Sequence, residues 1–290
     1  MRTNPIQVNQ YSKLVPVVSI IVPCYNDEKY IEETLDSILR QSFTAWECII
    51  VNDGSKDATE ALVLNKIKLD KRFNYICQDN TGVCVARNNA IQTSVGKYIL
   101  CLDANDLISV NFLEETVKLL DLNADLTVAS SVVKFFGKSK GTLKVISYDL
   151  ATILAENQLV ITSLFRRSDF DKVRGFNENM EEGLEDWDFW ISLLKKGGKV
   201  MCAYKAIFYY RLQNVSRNSQ ISKDKERRLR KQMWENHKSL FAEYFVDPTN
   251  CFEFKRYANS LEYKLGYIIL MPFRKIRFCF SFLKEKCFKI

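Results

Sequence analysis

Val17–Val22 reads VVSIIV, an unbroken apolar, β-branched run. A run without polar alternation suits a strand covered on both faces, not one with a wet side. Helical spacing follows it: Ile31, Leu35, Ile38 and Leu39 recur on one face, with Asn26 or Asp27 placed to cap the helix. The unit then repeats. Cys48–Val51 is a second buried strand ending at Asn52-Asp53-Gly54-Ser55, and Asp57 precedes a helix carrying Ala61, Leu62 and Leu64. Phe73–Cys77 is a third strand, Asn80-Thr81-Gly82 a loop and 83–94 a helix. A fourth strand spans 97–102, a helix 109–122 follows, and another apolar strand begins near Leu126. This alternation predicts an α/β fold with a mostly parallel, Rossmann-like sheet, helices on both faces and right-handed crossovers.

Beyond residue 137 the pattern is less regular. Gly137–Gly141 is a Lys/Ser/Gly loop, 149–157 reads as a helix and Leu159–Phe165 as a strand. Residues 185–196 form an amphipathic helix that Gly197-Gly198 stops, and 199–211 reads as a strand or hairpin. From Lys223 the chain is helical, basic and aromatic-rich, with 16 Lys+Arg against 8 Asp+Glu and 14 of the 36 aromatics. The net charge of +7 therefore comes from this tail, and the body is near neutral. The expected division is a catalytic-size domain over 1–215 and a helical extension over 216–290.

Composition also excludes some chemistry. The nine cysteines form no Cys-x-x-Cys pair, and several sit inside apolar runs, as buried thiols in a reducing compartment do. With His237 as the single histidine, neither a structural zinc site nor Cys–His catalysis is expected. The N-terminus shows no apolar signal segment, and no uncharged apolar run reaches the ~18 residues needed to span a bilayer. A cytoplasmic protein is expected, either free or attached to the inner face of the membrane.

Three polar segments lie at strand C-termini, and in a parallel sheet these tips share one edge, where ligands bind. They are Pro23-Cys24-Tyr25-Asn26, Asn52-Asp53-Gly54-Ser55 and Asp103-Ala104-Asn105-Asp106. An exposed Tyr25 beside Asp53 can stack on a base and accept its N–H. Clustered oxygens at 103–106 can hold Mg²⁺ or Mn²⁺ against a diphosphate, or can form an Asx-rich turn before the next helix. Arg87 in the third helix can reach a phosphate or an acid of the pocket. Glu185-Asp186 opens a helix beside Trp187 and Trp190, a setting in which a carboxylate can act as a general base.

These residues together resemble the family 2 glycosyltransferases, inverting sugar transferases with the GT-A fold. The similarity lies in SIIVPCYNDEKYIEETLDSILRQSFTAWECIIVNDGSKDATE, NTGVCVARNNAI, GKYILCLDANDLI and RGFNENMEEGLEDWDFWISLLKKG, within roughly residues 16–215. The resemblance implies that Pro23 and Tyr25 line the base, Asp53 bonds it, and Arg87 belongs to the donor site. It implies that Asp103, Asn105 and Asp106 correspond to the Asp-x-Asp motif, which holds the ribose and a divalent metal, Mg²⁺ or Mn²⁺. It makes Asp186 the catalytic base and puts Tyr210-Arg211 in a segment that closes over the donor phosphates. Two departures stand out: Asn105 replaces the usual second acid and brings no charge, and Gln213 stands where relatives often carry histidine.

The expected activity is hexosyl or N-acetylhexosaminyl transfer from a nucleotide-sugar, foremost a UDP-sugar, to a saccharide or lipid-linked acceptor in cell-surface polysaccharide synthesis. Competing readings are a non-catalytic relative, prompted by Asn105, and a nucleic-acid-binding protein using the basic tail. The near-neutral body argues against nucleic acid. A sugar nucleotidyltransferase would need a Gly-rich basic loop after the first strand, and PCYNDEKY lacks one. The Lys/Arg and aromatic tail suits a helix lying on an anionic membrane, or helices packed with a solvated basic face.

Overall fold

The computed structural model describes residues 15–143, 145, 148–213, 222–245 and 251–271. The first half follows the predicted alternation: β1 (Val18–Cys24), α1 (Ile31–Leu39), β2 (Trp46–Asp53), α2 (Thr59–Leu69), β3 (Phe73–Gln78), α3 (Val83–Thr93) and β4 (Tyr98–Cys101). β3, β2, β1 and β4 lie side by side in that order, all parallel. Val18, Ile20 and Val22 pack with Ile31, Leu35 and Ile38 of α1 in one apolar core. Ile21 on the opposite face is equally buried, and α3 lies against β1 and β2. Burial on both faces is what VVSIIV requires.

The second half mixes strand directions. It contains β5 (Leu107–Ile108), α4 (Phe112–Leu122), β6 (Leu126–Gly137), β7 (Gly141–Thr142), α5 (Leu150–Ile153), β8 (Leu164–Arg166), α6 (Arg167–Val173), α7 (Glu185–Leu194) and β9 (Lys199–Leu212). Beyond β4 the sheet continues β8-β6-β9-β5, with β8 antiparallel to both β4 and β6, β6 parallel to β9, and β5 antiparallel to β9. Several expected elements shrink here. The helix over 149–157 is only α5, and the strand over Leu159–Phe165 is only Leu164–Arg166. Residues 199–211 form one long strand rather than a hairpin. Short apolar runs do not specify their own register, and partners on β6 decide where pairing stops.

Capping also differs from expectation. Tyr30, not Asn26 or Asp27, precedes α1, and no side chain caps it. Asn26 adopts a left-handed conformation at φ 57°, while the Asp27 carbonyl accepts the Tyr30 and Ile31 N–H groups. Asp57 does bond the Thr59 N–H as α2 begins.

α8 (Lys223–Asn236), α9 (Lys238–Tyr244), α10 (Phe252–Asn259) and a helical segment at 261–271 follow. The chain forms two compact units, Met1–Lys238 and Ser239–Ile290. α8 lies in the first unit, where it buries Leu229 and Met233 and ties Asn236 and His237 to Asp188 of α7. Among the described residues, no helix is long and apolar enough to cross a membrane. The terminal FRKIRFCFSFLKEKCFKI lies outside the described residues.

Candidate active site

The crevice opens where the β1–β4 ladder stops. Leu102 donates its N–H to Ile21 O. The next β1 residue facing β4 is position 23, and proline has no N–H to donate. The chain leaves the sheet there and turns through Asp103–Asp106, closed by Asp106 N–H to Asp103 O at 3.1 Å. Two elements hold this turn. Thr34 Oγ1 of α1 lies 2.9 Å from both Ala104 O and Asp106 O. Arg211 of β9 donates its N–H to Asp106 Oδ1 and its Nε–H to Asn105 O, each at 2.7 Å. The Arg211 guanidinium also pairs with Glu33 and lies over the Tyr30 and Phe136 rings.

Arg87 is buried and bridges two acids, Asp103 Oδ1 at 2.8 Å and Glu185 Oε1 at 3.2 Å. Burial alone would favour the neutral form, but the Asp103 and Glu185 carboxylates overcome it and keep the guanidinium charged. This bridge fixes the start of α7 to the acidic turn. Leu184, just before α7, sits in the left-handed region at φ 58°, a costly conformation for leucine. The half-buried Asp186 follows. Its carboxylate accepts from its neighbour's backbone, Trp187 N–H, at 2.8 Å and from Asn157 Nδ2 at 3.1 Å. Burial and the nearby Glu185 charge push the Asp186 carboxyl up to about 6, against the opposing pull of Arg87, Trp187 and Asn157. Burial and the Asp103 charge push Asp106 further, to about 8, although the Arg211 N–H works against them.

Asp103, Asp106, Glu185, Asp186 and Arg87 line one cleft of about 470 Å³, whose other wall is apolar, including Phe135, Leu159 and Ile161. Asp103 and Asp186 therefore line the same cleft. Pro23, Tyr25, Asp53, Asn105 and Arg211 do not line this cleft. Pro23 is buried at the end of β1, and Tyr25 projects just beyond it, 48% exposed. Asp53, at the end of β2, is enclosed by the loop before α3. Its carboxylate accepts from Thr81 N–H and Gly82 N–H, each at 2.9 Å, and from Gln78 Nε2 at 2.8 Å.

Among the described residues, no three His, Cys, Asp or Glu side chains converge as a metal cage. Asp103 and Asp106 still fit a hard cation. Mg²⁺-type ions take one or two carboxylates when phosphate and water complete the shell.

Sequence reasoning missed Asn157 and Glu226 as cleft residues, and the pairing of Glu185 with Arg87. Asn157 lies in the irregular stretch and carries no motif. Glu226 was assigned to a separate extension.

Among the described cysteines Cys24, Cys48, Cys84 and Cys101 are buried, Cys77 is exposed, and burial pushes the Cys24, Cys48 and Cys101 thiols up.

Residues 19–181 match the model of glycosyl transferase family 2. The chain belongs to that family and is a glycosyltransferase of GT-A fold. A full-length relative is a Bacillus subtilis (strain 168) glycosyltransferase named for teichuronic acid biosynthesis, TuaG. It is 30% identical over 249 residues, covering 82% of this chain and 93% of its own length. In three dimensions the chain resembles Staphylococcus aureus TarS residues 1–349 in complex with UDP-GlcNAc. That TM-score is 0.64 at 21% identity, over 85% of this chain and 77% of the other. It also resembles the Pyrobaculum calidifontis mannosyltransferase PcManGT in complex with GDP-Man and Mn²⁺. That TM-score is 0.57 at 20% identity, over 84% of this chain and 68% of the other. The family match ends at residue 181, before Asp186.

Proposed function

We propose that the protein transfers a hexosyl or N-acetylhexosaminyl group, with inversion, from a nucleotide-diphosphate donor to a hydroxyl of a glycan or lipid-linked saccharide. The observation that carries this reading is Asp186: a half-buried carboxylate, raised to about 6 and steered by Asn157, in the cleft that also holds Asp103 and Asp106. A base near that value is ionised at neutral pH yet basic enough to take a proton in a transition state.

In this mechanism Asp186 accepts the proton of the acceptor hydroxyl as its oxygen attacks the anomeric carbon. The bond to the diphosphate breaks on the opposite face, so one displacement inverts the centre. A second carboxylate nucleophile has no part in it. Tyr25 offers a face for the base to stack on, beside Pro23, and Asp53 is the acid for its N–H. Arg87 holds Asp103 and α7 in register, and Arg211 clamps the acidic turn. Asp103 and Asp106, with the Asn105 amide oxygen, would hold Mg²⁺ or Mn²⁺, which when bound neutralises charge on the departing diphosphate.

The TarS and PcManGT complexes, with UDP-GlcNAc and with GDP-Man and Mn²⁺, support a nucleotide-sugar donor, and the TuaG relative supports a role in polysaccharide synthesis. We place the enzyme in the cytoplasm, at the inner membrane face. Supporting that placement, the second unit exposes Leu261, Ile268 and Ile269 together with Lys255 and Lys264, a mixture suited to an anionic surface.

The test is thermal stabilisation by UDP and by GDP, each with and without Mn²⁺. One nucleotide is expected to stabilise only with the metal, by about 2.7 kcal/mol at a hundredfold excess over Kd. Failure of both nucleotides in the presence of Mn²⁺ would end the donor reading.

A further inference from the structure

One residue lining the cleft, Glu226, comes from α8, outside the family match. α8 is firmly seated. Ser222 caps it by accepting the Lys225 N–H, and its Leu229 and Met233 are buried. At its C-terminal end Asn236 Nδ2 donates to Asp188 Oδ1 at 2.9 Å, and His237 Nε2 lies 3.0 Å from the same oxygen. Midway, the Arg230 guanidinium lies over the Trp187 ring at 4.7 Å, donates to Ala155 O at 3.2 Å, and donates from Nε to Glu226 Oε1 at 3.0 Å. A side chain held by this many partners is pre-positioned, which is what recognition demands. Arg230 thus presents Glu226 to the cleft, beside Asn157 and Gln158.

The charge balance of the lining gives the ligand class. Five acidic side chains line the space, Asp103, Asp106, Glu185, Asp186 and Glu226; burial holds Asp106 toward its neutral form, and Arg230 pairs Glu226. The cation among the described lining residues is Arg87, and it already pairs with both Asp103 and Glu185. Arg230 outside the lining already pairs Glu226, so among the described lining residues a carboxylate or phosphate entering beside Asp186 would meet that acid with no uncommitted cation facing it. A hydroxyl would instead find acceptors in Glu226 and donors in the amides.

We propose that Glu226 is a specificity residue for the acceptor: it takes a hydroxyl of an uncharged sugar, and the surrounding acids turn away uronates and sugar phosphates. This rests on the transferase reading above, in which Asp186 receives the acceptor.

The experiment is saturation-transfer NMR on the full chain with UDP and Mn²⁺, comparing methyl β-glucoside with methyl β-glucuronide. The two probes differ at one carbon and by one charge. The glucoside is expected to bind at least about tenfold more tightly. Glu226→Lys is expected to cut that preference by about tenfold, and Glu226→Gln to cut it less. The preference is a ratio within each variant, so a partial loss of folded protein does not mimic the effect. Equal binding of the two probes by the wild type, no transfer to the glucoside, or a ratio unmoved in both variants would overturn the proposal. Stabilisation by UDP and Mn²⁺ is read on the same samples. Its loss in the wild type would count against the donor reading and leave the glycoside ratio to stand or fall alone.

Discussion

The turn after β2 and the first turn of α7 each carry an enclosed carboxylate, and the fold serves them differently. Asp53 receives two backbone N–H groups and a side-chain amide, all from the loop that launches α3. Asp186 receives its own neighbour's N–H and one amide, and it sits beside Glu185 in a setting that pushes its proton affinity up. The first arrangement ties a loop to a strand. The second keeps a carboxylate basic. An acid at a sheet edge therefore has no fixed meaning, because the donors around it decide whether it braces structure or is poised for proton transfer.

The sharpest way to break that contrast is Asp186→Asn. It is expected to lower transfer by about 10²–10⁴-fold while leaving stabilisation by UDP and Mn²⁺ intact. Near wild-type turnover would remove Asp186 from the chemistry. Asp53→Ala should act on folding as well as on the base it is proposed to bond. Two backbone N–H groups lose a charged acceptor, so urea unfolding is expected to show a loss of about 2–3 kcal/mol. An unchanged midpoint would mean that water replaces the carboxylate freely.

Asp106 sharpens the comparison from the other side. Its proton affinity is higher in the folded protein than in the unfolded chain, so between about pH 4 and 8 the folded state binds more protons. Stability of the metal-free protein should therefore fall as pH rises across that window. Asp106→Asn, which keeps an oxygen for the Arg211 N–H, should flatten the fall and raise Tm at pH 8 by a few degrees, roughly what ~1 kcal/mol gives a domain of this size. A slope unchanged in the variant would mean that Asp106 is not its source.

The smallest effect is expected at Asn157. The acid limb of kcat/KM should fall as pH drops through about 6, where Asp186 becomes protonated and can no longer accept. Asn157→Leu removes a bond to the charged form. The limb should move upward by roughly one pH unit, the equivalent of one modest hydrogen bond. A pH profile superimposable on the wild type would show that Asn157 does not hold Asp186 in solution.

The continuously apolar runs were enough for β1, β2 and β4, which are buried on both faces, and the apolar stripe for α1; β3 at the sheet edge and α3, which buries Arg87 and Asn88, follow from the alternation rather than from those patterns. The acidic tip at 103–106 was legible as well, since a parallel strand aims its end at the crevice. Other features depend on contacts between residues far apart in the chain. Arg87 meets Glu185 across 98 residues, Arg211 meets Asp106 across 105, and Asn157 meets Asp186 across 29. None of these pairs has a local pattern. They arise where elements far apart in the chain meet, as when β9 pairs with β5 beside the acidic turn, and long-range closure of that kind is encoded only in the packed whole.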